Sequence, residues 1–331
     1  MFELTLRPAT PADVSVLLDL IMALAEYEKL SHAVTGTVEA LKEHLFGANP
    51  DIEAIVAEYA GQAAGFALFF HNYSTFLAKP GIYLEDLFVL PQFRRLGIGK
   101  AILSYLAQLA VSRNCGRFEW SVLDWNESAI AFYKRMGASI LESTRICRLT
   151  EESLTELASK NSSLKVRPAT PEDTPGLFHL VQGKAEFDQK LDTLTGTPEA
   201  LQRHLFGEPS YIEAILAEAE GKVVGFATFF PNYSTFLTRQ GLYVDDLFIL
   251  PSHRRQGLGK AMLGHLAQLA VKRDCGRLEW LVAVWNDQAI AFYKRMGASV
   301  LPDWRICRVA DDKLTQLAAQ LGDNNQKLGK T

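Results

Sequence analysis

A single offset of 160 residues governs this sequence. Arg7-Pro-Ala-Thr-Pro11 returns as Arg167-Pro-Ala-Thr-Pro171, and Asn72-Tyr-Ser-Thr-Phe-Leu77 returns from Asn232 to Leu237. Ala131-Phe-Tyr-Lys-Arg-Met-Gly-Ala-Ser139 returns from Ala291 to Ser299, with no insertion between the first match and the last. A repeat this long is a duplicated domain, because solenoid units are several-fold shorter. The 331 residues therefore divide into copy one, 1–160, and copy two, 161–331, each of ordinary domain size. The short polar run Ser159-Lys-Asn-Ser-Ser163 marks the junction.

Within a copy, apolar periodicity alternates between the strand and helix forms. Phe2 to Arg7 reads as a first strand. Thr10-Pro11 is a helix start, for a helix running to about Lys29. A second helix spans Thr37 to Phe46 and stops at Gly47. Glu53–Glu58 and Ala64–Phe70 flank Ala60-Gly61-Gln62 as a hairpin. A buried strand from Ile82 ends at Pro91, and Ile98, Ile102, Tyr105 and Leu109 repeat at helical spacing. Phe118, Trp120 and Val122 alternate as a strand, Asn126 caps a short helix ending at Met136-Gly137, and Ser139–Leu149 supplies the closing strand or strands. The class is α/β with a mixed sheet flanked by helices. A net charge of -4 gives no footprint for nucleic acid or for a polybasic membrane contact. No apolar run is long enough to span a bilayer and no signal-peptide layout opens the chain, so the cytosol is the expected location. Cys115, Cys147, Cys275 and Cys307 form no metal-spaced cluster and read as reduced thiols; no metal is expected.

Two stretches carry chemistry. The first, Ile82 to Lys100, is an apolar strand interrupted by Glu85 and Asp86, then a turn with Arg94 and Arg95, then Gly97 and Gly99 opening a helix. Backbone N–H groups at such a helix start can hold a phosphate. Arg94-x-x-Gly97-x-Gly99 is neither the dinucleotide fingerprint nor a Walker loop, and an ordinary strand-to-helix turn with solvated arginines has the same form. The second stretch runs from Trp125 to Ala138. Asn126 and Tyr133 lie seven apart on one helix face; taken singly, they read as an N-cap and a core or rim tyrosine.

In this order and spacing the two stretches resemble the Gcn5-related N-acetyltransferase (GNAT) family, over nearly the whole of each copy. Ala25-Glu-Tyr-Glu-Lys-Leu-Ser31, Tyr83-Leu-Glu-Asp86 and Val122-Leu-Asp-Trp-Asn126 resemble its diamine/polyamine branch, especially the thialysine-acetylating members. The resemblance implies two tandem acyl-CoA N-acyltransferase domains with mostly antiparallel sheets. It implies direct transfer from acetyl-CoA to an amine in a ternary complex. Arg94, Arg95, Gly97, Ile98, Gly99 and Lys100 would then hold the pyrophosphate, with Asn126 and the backbone of Leu87, Phe88 and Val89 also on the cofactor side. Glu85 would accept the ammonium proton through water, and Tyr133 would protonate the leaving thiolate. Asp86 would face away from Glu85 unless a bulge intervened. Tyr27, Glu28, Asp86, Asp124 and Trp125 are acceptor-side candidates, and Glu26 reads equally well as solvated. Leu30-Ser-His-Ala-Val34 lacks the acidity of polyamine-specific members, which favours a small amino acid or a short diamine as substrate.

Copy two keeps the cofactor half: Leu247, Phe248, Ile249, Arg254, Arg255, Gly257, Leu258, Gly259, Lys260 and Asn286, with Tyr293 aligned to Tyr133. Between Gly81–Ile140 and Gly241–Val300, 40 of 60 positions are identical. The acceptor half drifts. Glu28 aligns with Asp188, Tyr27 with Phe187, and the base position Glu85 with Asp245. Trp304 stands where copy one has Thr144; in the family a tryptophan near this point is a substrate-site feature, so neither copy matches in full. Because members of the branch are usually homodimers, an internal pseudo-dimer of the two copies is expected. Two rival readings stay open: acetylation of a protein lysine or an antibiotic amine, and a CoA-binding sensor or scaffold whose copy two is inactive.

Overall fold

The computed structural model describes residues 4–160 and 163–328. Phe2, where the first strand was expected to begin, and Asn161 and Ser162 of the junction lie outside the described residues. Copy one runs β1 (Leu4–Pro8), α1 (Val14–Tyr27), α2 (Val38–Phe46), β2 (Glu53–Tyr59), β3 (Gln62–Ser74) and β4 (Lys79–Val89). It continues with α3 (Ile98–Ser112), β5 (Arg117–Leu123), α4 (Glu127–Arg135), β6 (Ser139–Leu141), β7 (Thr144–Thr150) and α5 (Glu151–Ser159). Copy two repeats the order as β8 (Lys165–Pro168), α6 (Thr174–Phe187), α7 (Pro198–Phe206), β9 (Glu213–Ala219), β10 (Lys222–Ser234) and β11 (Arg239–Ile249). It ends with α8 (Leu258–Lys272), β12 (Arg277–Ala283), α9 (Asp287–Arg295), β13 (Ser299–Leu301), β14 (Trp304–Ala310) and α10 (Asp311–Leu328).

The local signals act as their chemistry requires. Asp13 reaches back to the Thr10 N–H at 2.7 Å and takes the Arg7 guanidinium on both oxygens at 2.7 Å, which fixes the turn into α1. α1 then buries Val14, Leu17, Leu20, Ile21 and Leu24 along one stripe. The β2–β3 hairpin turns at Ala60 and Gly61, both with positive φ. β3 runs past the expected end at Phe70 to Ser74, because its far half pairs with β4.

Each sheet is built from both copies. The strand orders are β1-β2-β3-β4-β5-β14-β6 and β13-β7-β12-β11-β10-β9-β8. The last strand of each copy thus crosses over and inserts between the fifth and sixth strands of the other, β14 along β5 and β7 along β12. The pairing is antiparallel throughout except at β4/β5 and β11/β12. The exchange carries the following helix with it: α5 packs on α8, and α10 on α3. Cys307, Val309, Leu314 and Leu317 of copy two therefore complete the core around Trp120, and Cys147, Leu149, Leu154 and Leu157 complete the core around Trp280. The four cysteines are free and buried. The junction near Ser159–Ser163 marks the repeat in sequence; in space, residues 144–159 belong to the sheet of copy two.

The copies also meet reciprocally outside the sheets. Thr35 and Gly36 donate their N–H groups to the Phe236 carbonyl at 2.8 and 2.9 Å, and Thr195 and Gly196 donate to that of Phe76 at 3.0 and 2.8 Å. A Cβ at Gly36 would stand 2.4 Å from Thr238 Cγ2, and one at Gly196 2.6 Å from Ala78 Cβ, so only glycine permits this approach.

β4 carries the feature that shapes the site. Its register to β3 shifts between Leu68–Asp86 and Phe69–Leu84, leaving Glu85 as the extra residue of a bulge. The parallel pairing of β4 with β5 ends at Leu84–Trp120, so the strands part there and a cleft opens between them. Asp245 sits at the same bulge in β11.

Candidate active site

The cleft of copy one is a cavity of about 910 Å³. Its lining includes, from the cofactor-side candidates, Leu87, Phe88, Val89, Arg94, Arg95, Gly97, Ile98, Gly99, Lys100 and Asn126. From the acceptor side and the chemistry it includes Tyr27, Glu28, Glu85, Asp86 and Tyr133. Without a bulge the pleat would separate Glu85 from Asp86; with it, both line one cavity.

The glycine turn is formed as an anion cradle. Arg95 has φ of 66° and Gly97 of 82°, and α3 begins at Ile98. The first intrahelical bond runs from Ala101 N–H to Gly97 C=O at 3.0 Å, which leaves the preceding amides without helical partners. Nothing lies within 4 Å of where a Cβ on Gly97 would stand, so a ligand can approach the backbone there. These residues fit a CoA pyrophosphate. Arg94 is exposed but tethered, its Nε donating to the Val89 carbonyl at 3.0 Å and its guanidinium stacking 4.6 Å above the Tyr27 ring. Asn126 caps α4 by accepting from the Ala129 N–H at 3.2 Å, and its oxygen also accepts from the Tyr27 hydroxyl at 3.3 Å. Tyr133 packs edge-on to Trp120, with ring centroids 5.0 Å apart; burial holds its hydroxyl well above the usual phenol range, so it stays protonated.

The acidic end is desolvated. Burial, with repulsion from Glu85, pushes Glu28 up to about 7. Burial and then the Glu85 charge raise Asp86 well above the carboxylate range, and one of its oxygens has no hydrogen-bond partner. Burial raises Glu85 also, against the opposing pull of Arg277, whose Nη2 lies 3.0 Å from its carboxylate. Arg277 comes from copy two and is anchored by Glu279 at 2.8 Å and by the Tyr233 carbonyl.

Copy two supplies more of this wall than the sequence revealed. Asn232, Thr235, Phe236, Arg277 and Trp304 all line the copy-one cavity. Trp304 arrives on the exchanged β14, so the tryptophan that aligns with Thr144 serves the opposite copy from the one that encodes it. Asp124 and Trp125 are not on the lining: Asp124 pairs with Arg305 of the same exchanged strand at 2.9 Å, and Trp125 is exposed, its ring 6.0 Å from that of Tyr27. Glu26 is exposed.

In copy two the glycine turn is repeated closely. Arg255 has φ of 62° and Gly257 of 86°, α8 starts at Leu258 and continues through Gly259 and Lys260, and Asn286 caps α9 at 3.1 Å. Leu247, Phe248 and Ile249 end β11, and Arg254 stacks 4.2 Å above Phe187. Tyr293 lies against Trp280 at 4.9 Å, with its hydroxyl raised by burial. The acidic end differs. Asp245 pairs with Arg117 at 3.2 Å and is raised by burial to about 6. Asp188 and Asp246 are both engaged by Lys184, at 2.6 and 3.0 Å. Among the described residues no group of His, Cys, Asp and Glu is placed to hold a metal, and no helix is long and apolar enough to cross a membrane.

Comparison with known proteins agrees with this geometry. The acetyltransferase (GNAT) family model matches residues 21–138 and again 182–298. L-ornithine N5-acetyltransferase from Arabidopsis thaliana is 33% identical over 47% of this chain and 88% of its own length. Thialysine N-epsilon-acetyltransferase from Mus musculus is 36% identical over 48% of this chain and the whole of its own. Among solved structures, a GCN5-related N-acetyltransferase from Sphaerobacter thermophilus aligns over 93% of this chain and 95% of its own with a TM-score of 0.55. A tandem GNAT protein from the clavulanic acid biosynthesis pathway aligns over 93% and 98% with a TM-score of 0.50. Both are 16% identical, which speaks for the fold alone. With two whole family domains in one chain, each bearing the glycine turn, the capped helix and the buried tyrosine, this protein belongs to the GNAT family of N-acetyltransferases.

Proposed function

We propose that copy one acetylates a primary amine of a small cationic molecule, such as a short diamine or an ornithine- or lysine-like amino acid. Transfer is direct, from acetyl-CoA, in a ternary complex. One observation carries the reading: a single cavity joins an anion cradle to three desolvated carboxylates, Glu28, Glu85 and Asp86. An anionic cofactor and a cationic acceptor each meet their complement there. The ornithine- and thialysine-acetylating relatives support the substrate class.

Each residue then has a task. The amides of Arg95 to Lys100 hold the pyrophosphate, aided by the helix dipole. An alkylammonium, with pKa near ~10, must lose a proton before its nitrogen can attack the thioester carbonyl. Glu85 takes that proton through water, and its pair with Arg277 fixes where the carboxylate points. Backbone N–H groups of Leu87 to Val89, on the β4 edge that leaves β5, stabilise the oxyanion. Tyr133 gives its proton to the departing thiolate. Glu28, Asp86 and Trp304 receive the rest of the acceptor, and Asp124 and Trp125 rank behind them. The buried thiols suit a reducing compartment, and we assign the enzyme to the cytoplasm.

The test is thiol release from acetyl-CoA by the full chain with ornithine, thialysine, 1,4-diaminobutane, spermidine and a lysine peptide, with products weighed by mass spectrometry. The reading expects the short diamine and the amino acids to be fastest, with intersecting initial-rate lines as both substrates vary. Release with the peptide alone, or with none of them, would overturn it, and parallel lines would remove the ternary complex.

A further inference from the structure

Lys184 is a charged side chain on the apolar face of α6, where the repeat places Leu24 in α1. Its ammonium lies 2.6 Å from Asp188, 3.0 Å from Asp246 and 5.0 Å from the centroid of the Phe76 ring. Asp246 also accepts from the hydroxyl of Thr75. Carboxylate, carboxylate, aromatic face and hydroxyl together make a complete site for an alkylammonium.

Subtracting 160 from Asp188 and Asp246 gives Glu28 and Asp86, and adding 160 to Phe76 and Thr75 gives Phe236 and Thr235, so each site takes its aromatic ring and hydroxyl from the other copy. All line the copy-one cavity, together with Leu24. Among the described residues no cation pairs with Glu28 or Asp86, and one Asp86 oxygen is buried without a partner. Copy one therefore has the same ammonium receptor with the ammonium removed.

We infer that Lys184 is an internal stand-in for the substrate's cationic end, so that copy two binds acetyl-CoA but is closed to amines, while Glu28, Asp86, Thr235 and Phe236 form the cation subsite of copy one. This rests on the amine-acetyltransferase reading above. It assigns specificity to one position per copy, Leu24 or Lys184.

The experiment uses the full chain. Equilibrium dialysis with acetyl-CoA should give two cofactors per chain, and with 1,4-diaminobutane in the presence of CoA one amine per chain. Leu24→Lys should lower amine-dependent thiol release at least a hundredfold while keeping both cofactors, and Leu24→Met, uncharged and of similar size, should lose far less. Lys184→Leu should raise the amine count from one to two. Lys184→Met serves the same purpose if the leucine variant does not fold, with circular dichroism as the check. Two amines on the wild-type chain, one amine on a folded Lys184 variant, or release undiminished in Leu24→Lys would each overturn the inference while leaving the acetyltransferase reading intact. So would acetylation of Lys184 itself after incubation with acetyl-CoA, since it would make the lysine a substrate. No release from the wild-type chain with any amine would sink the underlying reading, and the inference with it.

Discussion

The glycine turn and the acidic end have diverged to different extents between the two copies. At the cofactor end the copies share their backbone form: φ of 82° at Gly97 and 86° at Gly257, arginines stacked on Tyr27 and Phe187, and caps at 3.2 and 3.1 Å, although a Cβ on Gly257 would stand 3.2 Å from Leu164 where Gly97 is open. At the acceptor end they part. Copy one keeps two unpaired carboxylates; copy two neutralises both with Lys184. A backbone cradle has little room for change, because its form rests on its φ values and its free amides. An acceptor pocket made of side chains can be closed by one substitution. The exchange of β7 and β14 holds this divergence in one molecule, since each copy's wall contains residues of the other.

The largest effect should come from the arginines that lock the bulges. Arg277 holds Glu85 and Glu279; Arg117 holds Asp245 and Glu119. Removing either leaves the bulge carboxylate, Glu85 or Asp245, without its ion-pair partner, while Glu279 and Glu119 keep Arg148 and Arg308; the expected cost is about 3–5 kcal/mol. Arg277→Ala and Arg117→Ala should therefore lose similar stability in urea titrations. At a temperature where both remain folded, only Arg277→Ala should also lose turnover, because only Glu85 faces an open acceptor pocket. Equal turnover losses would break the asymmetry. Next, Tyr133→Phe should lower turnover by about 10²-fold or more with acetyl-CoA affinity nearly unchanged, in line with a lost general acid. Tyr293→Phe, in the same edge-on contact with a tryptophan, should leave turnover as it is. Steady-state kinetics beside cofactor dialysis separates the two cases.

How much of this was legible depended on how local the cause was. Thr10 with Asp13, Asn126, and Gly97 act on backbone a few residues away, and their consequences stand in the sequence. The doubled domain was legible from its constant offset. The strand exchange was not. Ile146-Cys-Arg148 and Ile306-Cys-Arg308 are the same tripeptide, so Arg308 meets Glu119 at 2.6 Å just as Arg148 meets Glu279 at 2.6 Å, and either strand satisfies either sheet. The tripeptide does not distinguish the two sheets, so the exchange cannot be read from it. That is why Trp304 could not be assigned to its cavity from an alignment of the copies. The bulge at Glu85 was foreseen only as a condition, because two adjacent carboxylates do not reveal whether the pleat is broken between them. Lys184 left a signal that went unread: a lysine in a helical stripe where the other copy has leucine.

Smaller effects sharpen the same comparison. Glu28 is raised in the folded chain from about 4.5 to about 7, so its contribution to stability is full below its unfolded value and is lost as pH rises through the folded one. Wild type should thus lose stability against Glu28→Gln between about pH 4.5 and 7. A diamine, which pairs with the ionised form, should bind wild type more tightly as pH rises over this window. That slope should flatten in Glu28→Gln, and pH-dependent melts with and without 1,4-diaminobutane read both signs.

The smallest effect tests the half of the cleft where the copies agree. Gly97 and Gly257 hold left-handed φ, which costs an alanine about 1–2 kcal/mol, and each opens a helix whose free amides can take a phosphate. Gly97→Ala and Gly257→Ala should each weaken one of two acetyl-CoA sites by roughly tenfold, to a similar degree. Their effects on catalysis should differ: Gly97→Ala raises the KM for acetyl-CoA, and Gly257→Ala leaves it alone. If Gly257→Ala changed KM as much as Gly97→Ala does, copy two would be a working site, and Lys184 would have to leave its carboxylates during turnover. If Gly257→Ala left both cofactors bound as before, the matching φ values would be a relic of the duplication, not a second binding site.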